Sequence, residues 1–577
     1  MSSSTSTENV SVIASLGATP DTFAVDTSIQ AIVQQQLDNN ITNLINLNSP
    51  YTGVTVTPIS LNSDGTTNSS PPPEPTNTSF YEDTYITGSV TGSGGSISLP
   101  NAMTNGVPTN NGIRGIIATF SGNETITGGA GKNALIVTGS TTNLTWDPMG
   151  GAGTDTIYAG GGNNNFTLDG YWYDVQVASG DNTITTAANA AGGASYNRIT
   201  TEGGHNVINL DAGTNTVMSA GSDVINVNDS GNLISVSGAS KITFGANATG
   251  NTLYATGAAT IVGNSGGNTI SISGSQGAAI STSGAGSLGS VAGNTTIYSS
   301  TDDESVQFTA GTNRFRNNGG FDTIVATGQS VVRAGNPTGS TGKIDFINQS
   351  TNAVTVLGGA GAVTAFGGVG GGIITGGAEG NNSLIGGSGS ATLVGGGNGD
   401  FIEAGGGNAT PSGAWNALFA GVGNETLTAT SVTGSNLFAA GSGNDIISSE
   451  GTGTQYFFTG SGNATITGSS LAGSDNIYFA RSGGTSSQDI INNFSTQRDI
   501  MVMINGQTIS SVTATSNASP QTGAVLTLSD NTRITMVGIN PNQLQQFVGG
   551  SFVERAKPAR ARLVNGIEAR SRSTVAF

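Results

Sequence analysis

The sequence predicts an all-β protein: a parallel β-roll or β-helix solenoid with an N-terminal helical segment and a C-terminal β cap. Three observations predict it: a nine-residue repeat turned on glycine, abundant Asn, Ser and Thr, and very little charge. Glycine accounts for 91 of the 577 residues and charged residues for only 9 %, against roughly 25 % in an ordinary globular domain. Chains without a core are typically highly charged and poor in β-branched residues. This chain instead supplies Ile, Val, Thr and Leu steadily between its glycines, which fits short strands joined by tight turns.

Residues 1–61 form the first segment. Ile29, Ile32, Val33, Leu37, Ile41, Leu44 and Ile45 recur at helical spacing, which predicts one amphipathic helix with Asp26 or Thr27 as its N-cap. Such a helix is expected to cover the open end of the stack. Residues 62–115 follow as a linker and leading strands; the stretch 62–77 is polar and proline-rich.

The solenoid is expected over residues 116–480. In a nine-residue frame, position 4 is Gly, position 6 is Asp or Asn, and position 8 is a large apolar residue. GGAGTDTIY at 150–158, GGVGGGIIT at 367–375 and AGSGNDIIS at 440–448 show it. Residues 179–350 keep the logic with uneven periods, as in GGHNVINL, GNTLY and GGNTISI, and read as further coils of the same solenoid. Glycines permit the positive φ of a tight turn. Position 8 then points inward and stacks on its equivalent one coil away; Ile126, Leu135, Ile157, Phe166, Ile374, Leu393, Ile402, Leu427 and Ile447 take this role. Two nonamers make a turn of roughly 18 residues, and no coil buries its apolar face alone.

The frame resembles the RTX nonapeptide repeat, GGxGxDxUx with U apolar, of bacterial proteins exported by type I secretion. The resemblance is close over residues 119–167 and 358–478. It implies a parallel β-roll in which position-6 aspartates and turn carbonyls bind calcium. Carried to this sequence, the candidates are Asp155, with the carbonyls of Gly151 and Gly153, and Asp223, Asp322, Asp400, Asp445 and Asp475. Calcium prefers six to eight oxygen ligands. The departures are large: Asn133, Asn164, Asn382, Asn416 and Asn436 are amides, Glu124 and Glu425 are longer, and Val363, Ala391 and Ala464 have no ligand atom. No two of the six aspartates stand one 18-residue turn apart, so few calcium sites are expected rather than regular rows. The alternative is that the asparagines form hydrogen-bonded ladders and close the turns without metal.

Residues 481–553 resemble the closing segment that follows such repeats, with Asp489, Phe494, Asp499, Leu526, Ile534 and Phe547 in its skeleton. The remainder, 554–577, is a basic tail that the resemblance implies is an export signal. The N-terminus lacks a basic start and an apolar run, so export to the cell surface or medium without an N-terminal signal peptide is expected.

Several function classes are disfavoured. A formal charge of −18 argues against nucleic acid, which needs basic patches. No run of 18 apolar residues occurs, so no transmembrane helix is expected. The absence of cysteine removes disulfides, thiolate metal sites and thiol nucleophiles. The single histidine, His205, reads as a surface residue, and the acidic cluster Asp302-Asp303-Glu304 beside Arg314 and Arg316 reads as a solvated loop. Tyr171-Trp172-Tyr173 with Asp174 reads as buried in an irregular coil, with stacking on sugar rings as the alternative. The expected function is a non-catalytic surface or matrix protein that self-associates into a filament or layer, with cell-surface polysaccharide as a further partner. The competing reading is a polysaccharide-active enzyme or glycan-binding adhesin.

Overall fold

The computed structural model describes most of residues 154–553 and, before them, the strands of residues 7–147 and one helix; residues 554–577 lie outside the described residues. Strands hold 53 % of the chain and helices 3 %, and the strands build a parallel β-solenoid of about 16 turns. The fold is therefore the predicted class. The chain divides into two compact units, Met1–Phe315 and Arg316–Phe577.

From Ile113–Phe120 onward the strands of the first unit pair in parallel with the strand two places later, so each coil contributes one strand to each of two parallel stacks. One sheet runs through Trp172–Val177, Tyr196–Thr201, Thr214–Ser219 and Leu233–Val236. The other runs through Asn165–Leu168, Thr183–Thr186, Val207–Leu210 and Val224–Val227. The part of the irregular middle stretch that lies in this unit thus belongs to its stack, with parallel pairing continuing to Phe308. Parallel pairing also begins upstream of residue 116, where Val56–Ser60 lies beside Asp83–Val90 and the latter beside Ile113–Phe120.

Side chains alternate between the two faces of each strand, and the inward set is apolar. Phe166, Ile184, Ile208, Ile225, Ile242, Ile261, Ile280 and Ile297 stack coil upon coil and are buried. Each such side chain contributes roughly 1.5–3 kcal/mol of transfer free energy, but only because the neighbouring coil covers it. Every position-8 residue named above is buried except Leu135, whose side chain lies outside the described residues. The corners set how closely coils approach. Gly180 has φ +96°, and a Cβ there would strike the carbonyl of Gly162 one coil below; Gly204, at φ +85°, stands in the same relation to Gly180. Only glycine fits that corner.

The second unit repeats the plan from one long strand, Phe321–Gly335. Its first part pairs with Lys343–Asn348 and its last residues with Val354–Leu357. Inside the later coils the column changes from aliphatic to aromatic. Phe438, Phe457 and Tyr478 stack with ring centroids 5.1 and 5.0 Å apart. At its end the pairing turns antiparallel: Ile509–Ala514, Gly523–Leu528 and Arg533–Val537 form a meander, and Phe552–Val553 runs against Ile500–Met503. The strand Arg533–Val537 joins the solenoid by parallel pairing with Gln488–Asn492.

At the N-terminus a hairpin of Thr7–Val12 and Asp21–Asp26 precedes the helix Gln30–Leu37. The rest of the predicted helical stretch, 38–45, lies outside the described residues, as does the linker at 62–77.

Candidate functional site

The position-6 residues point into the solenoid, where an unpaired polar group would cost roughly 1–3 kcal/mol. Asparagine solves this with its own chemistry, since one amide carries two donors and two acceptor lone pairs. Asn182 illustrates it. Its Nδ2 donates to the carbonyl of Ser179, closing its own turn, and to Oδ1 of Asn206 one coil on, at 3.1 and 2.8 Å. Its Oδ1 accepts the backbone N–H and Nδ2 of Asn164 at 3.0 and 2.8 Å. All four valences are filled.

Two amide ladders run through the first unit on this rule. One passes from Asn164 through Asn182 and Asn206 to Asp223. The other links Asn197, Asn215, Asn232, Asn251 and Asn268 without a break, with amide contacts of 2.8 to 3.0 Å. In the second unit Asn416 donates to Asn436 and Asn436 to Gln455.

Aspartate ends the first of these runs. Asp223 Oδ1 accepts the backbone N–H and Nδ2 of Asn206, while Oδ2 accepts the hydroxyls of Thr201 and Ser219 at 2.6 and 2.7 Å. Having no donor of its own, the carboxylate reverses the turn chemistry: its second oxygen accepts a group four residues upstream. Gly396 N–H serves Asp400, Gly441 N–H serves Asp445 and Ser495 N–H serves Asp499, at 2.7, 2.7 and 2.8 Å. Glu304 follows the same pattern, accepting from the N–H of Ser300.

The calcium candidates separate on this geometry. Asp223 and Asp400 are buried and each accepts the amide of an asparagine on the neighbouring coil, while Asp445 is buried and accepts the backbone N–H groups of Glu425 and Gly441. Asp155 and Asp322 are also buried and inward. Burial, and then the charge of Asp155 on the adjacent strand, hold the Tyr173 hydroxyl protonated. Gly151 and Gly153 lie outside the described residues. Asp475 does not occupy the position-6 column. Asn476 does, donating to Asp499, while Asp475 sits one residue earlier on the outer face beside Tyr456. The frame is shifted by one residue there. No group of three or more metal-ligating side chains occurs among the described residues. At Asp223 hydrogen bonds already occupy all four carboxylate lone pairs, and at Asp400 both oxygens are engaged.

A second correction concerns stacking. Acidic residues do meet on consecutive coils, because coil length is not constant: Phe401 pairs with Thr426, 25 residues on, and Thr426 with Ile446, 20 residues on. Asp400, Glu425 and Asp445 therefore stack in one column, all buried. Glu425 is the misfit. Its backbone N–H donates to Asp445 at 3.0 Å, but neither carboxyl oxygen meets a donor. Burial, then the neighbouring Asp445 carboxyl, then the charge of Asp400 raise its pKa to about 8. Asp489, which accepts the N–H of Ala464, is raised to about 7 by burial.

The residues weighed for catalysis are dispersed. His205 is on an exposed turn, 3.5 Å from an equally exposed Asp181. The Asp302-Asp303-Glu304 cluster is split, with Glu304 buried as a turn-closing acceptor and the two aspartates in solvent. Tyr173 is buried, but Tyr171 and Trp172 are exposed, contrary to the sequence expectation. They sit at the corner where the strand begins, so only Tyr173 turns inward.

No family model matches the chain. Comparison with curated proteins and with solved structures likewise gives no match. Among the described residues no helix is long and apolar enough to cross a membrane.

Proposed function

We propose that the chain is a non-catalytic structural protein, exported to the cell surface or extracellular matrix, where its solenoid packs laterally with further copies. The observation that carries this reading is how the inward polar residues are used. Asn, Asp, Ser and Thr at the ladder positions hold one coil to the next, and the groups weighed for catalysis stand apart. A protein whose polar chemistry is spent on its own backbone is a scaffold.

The outer sheet face of the second unit supports lateral packing. Phe366, Phe401 and Ile446 are exposed there, between threonines and serines, on strands of one parallel sheet. Phe401, Thr426 and Ile446 share one outward column, with Phe366 two residues along the strands, and such a sheet face offers a second copy apolar contacts for interdigitation. In this reading the N-terminal helix and the C-terminal meander are caps that blunt the sheet edges, leaving the faces as the contact surfaces. Export by a type I system rests on the nonamer frame and the basic tail.

Light scattering across a concentration series, with negative-stain electron microscopy, tests the assembly. Ordered sheets or laterally paired rods are expected, and Phe366→Asp/Phe401→Asp should shift the protein towards monomer. A protein that stays monomeric up to its solubility limit contradicts it.

A further inference from the structure

The first unit carries three large aromatic side chains in solvent where two coils meet. Tyr171, Trp172 and Tyr196 are 47 %, 38 % and 46 % exposed. Trp172 and Tyr196 are register partners on adjacent parallel strands, so their side chains leave the same face roughly 4.8 Å apart. Tyr171 meets Tyr196 edge-on, with ring centroids 6.1 Å apart, and its carbonyl accepts the Tyr196 N–H at 2.9 Å. The two coils are thereby locked together beneath the rings. Two residues along the same strands, Asp174 pairs in register with the exposed Arg198. Asp174 itself is buried, and one of its carboxyl oxygens has no hydrogen-bond partner.

We propose that Tyr171, Trp172 and Tyr196 form a stacking platform for the pyranose rings of a neutral glycan, with Arg198 as the donor to its hydroxyls. Indole and phenol rings present apolar faces with polar tips, which suits a ring whose C–H face is apolar and whose edge is hydroxylated. The flanking outward residues, Thr214 and Thr216, add hydroxyls rather than further large apolar surface, unlike a protein-docking patch. The net charge of −18 disfavours an acidic polymer at long range, which selects a neutral one. The platform shares no residue with the packing face of the second unit.

The test is calorimetric titration of the full chain with hexasaccharides of neutral glucose, mannose and galactose polymers, and with a hexagalacturonide as the acidic control. Saturable binding of at least one neutral hexasaccharide is expected, with a change in tryptophan emission. Trp172→Ala and Tyr196→Ala should each weaken it about tenfold or more, while Tyr254→Ala, an exposed tyrosine on another coil, leaves it unchanged. Circular dichroism confirms that the variants keep their fold. Binding of none of the neutral sugars overturns the proposal. So does equal binding by Trp172→Ala and Tyr196→Ala, or a preference for the acidic control. If Trp172→Ala instead breaks up an oligomer without affecting sugar binding, the surface belongs to a second copy and the proposal also fails.

Discussion

Asn215→Ala is expected to destabilise the solenoid by about 3 kcal/mol, a large effect for one inward polar side chain. Asn215 accepts from Asn197 Nδ2 at 2.8 Å and donates to Asn232 Oδ1 at 2.8 Å and to the carbonyls of Ala212 and Gly213 at 3.1 Å each. Truncation strands the buried Asn197 amide on one side and the part-buried turn carbonyls on the other. Asn215→Asp is the sharper control. It keeps the acceptor for Asn197 but sets a carboxylate against Asn232 Oδ1 and two carbonyls, so it should be at least as damaging. At Asp223 a carboxylate is tolerated because two hydroxyls donate to it. Urea unfolding followed by circular dichroism measures both. Wild-type stability in Asn215→Ala would mean that the ladder is incidental to the stack.

The second large effect is electrostatic. Glu425→Gln should stabilise the protein at pH 8 by about 1–3 kcal/mol, the cost of an unsatisfied buried polar group. Linkage sets the sign. With its pKa raised from 4.5 to about 8, Glu425 keeps its proton when folded over a range where the unfolded chain has lost it. Stability therefore falls as pH rises from about 4.5 to 8 and levels off beyond. Asp489, raised to about 7 from 3.8, acts in the same direction between those values. Most proteins lose stability on moderate acidification; this one should gain it. The new amide of Glu425→Gln offers Asp445 a donor without adding a charge. The variant should therefore show a flatter profile and differ little from wild type once Glu425 is protonated in both folded and unfolded chains. Thermal melts at mildly acidic and mildly alkaline pH on both proteins decide it. A wild type more stable on the alkaline side, or a destabilised variant there, contradicts the assignment.

The solenoid and its inward column were legible in the sequence because both follow from local period. Glycine marks each corner, and position 8 alternates inward with the pleat; thus Ile157, Ile402 and Ile447 were placed correctly from spacing alone. Ladders were legible as an alternative use of Asn, although the longest, Asn197 to Asn268, runs through the stretch where the nonamer is least regular. What it retains is Asn directly before or within a β-branched strand, which is all the ladder needs. Register between coils was not legible. Corner loops differ in length, so residues 20 and 25 apart became neighbours, and this brought Asp400, Glu425 and Asp445 together. A one-residue change in frame moved Asp475 outward and Asn476 inward. The same blindness hid the partnership of Tyr196 with Trp172, 24 residues away.

Side-chain amides hand a hydrogen bond from coil to coil in both units, and they are expected to suffice to hold the stack. Thermal unfolding followed by circular dichroism, in excess EGTA and again in millimolar calcium, tests this most directly. Ladder-held coils predict the same β-rich spectrum and the same midpoint in both buffers. A chain that is unfolded in EGTA and folds only on adding calcium would contradict it.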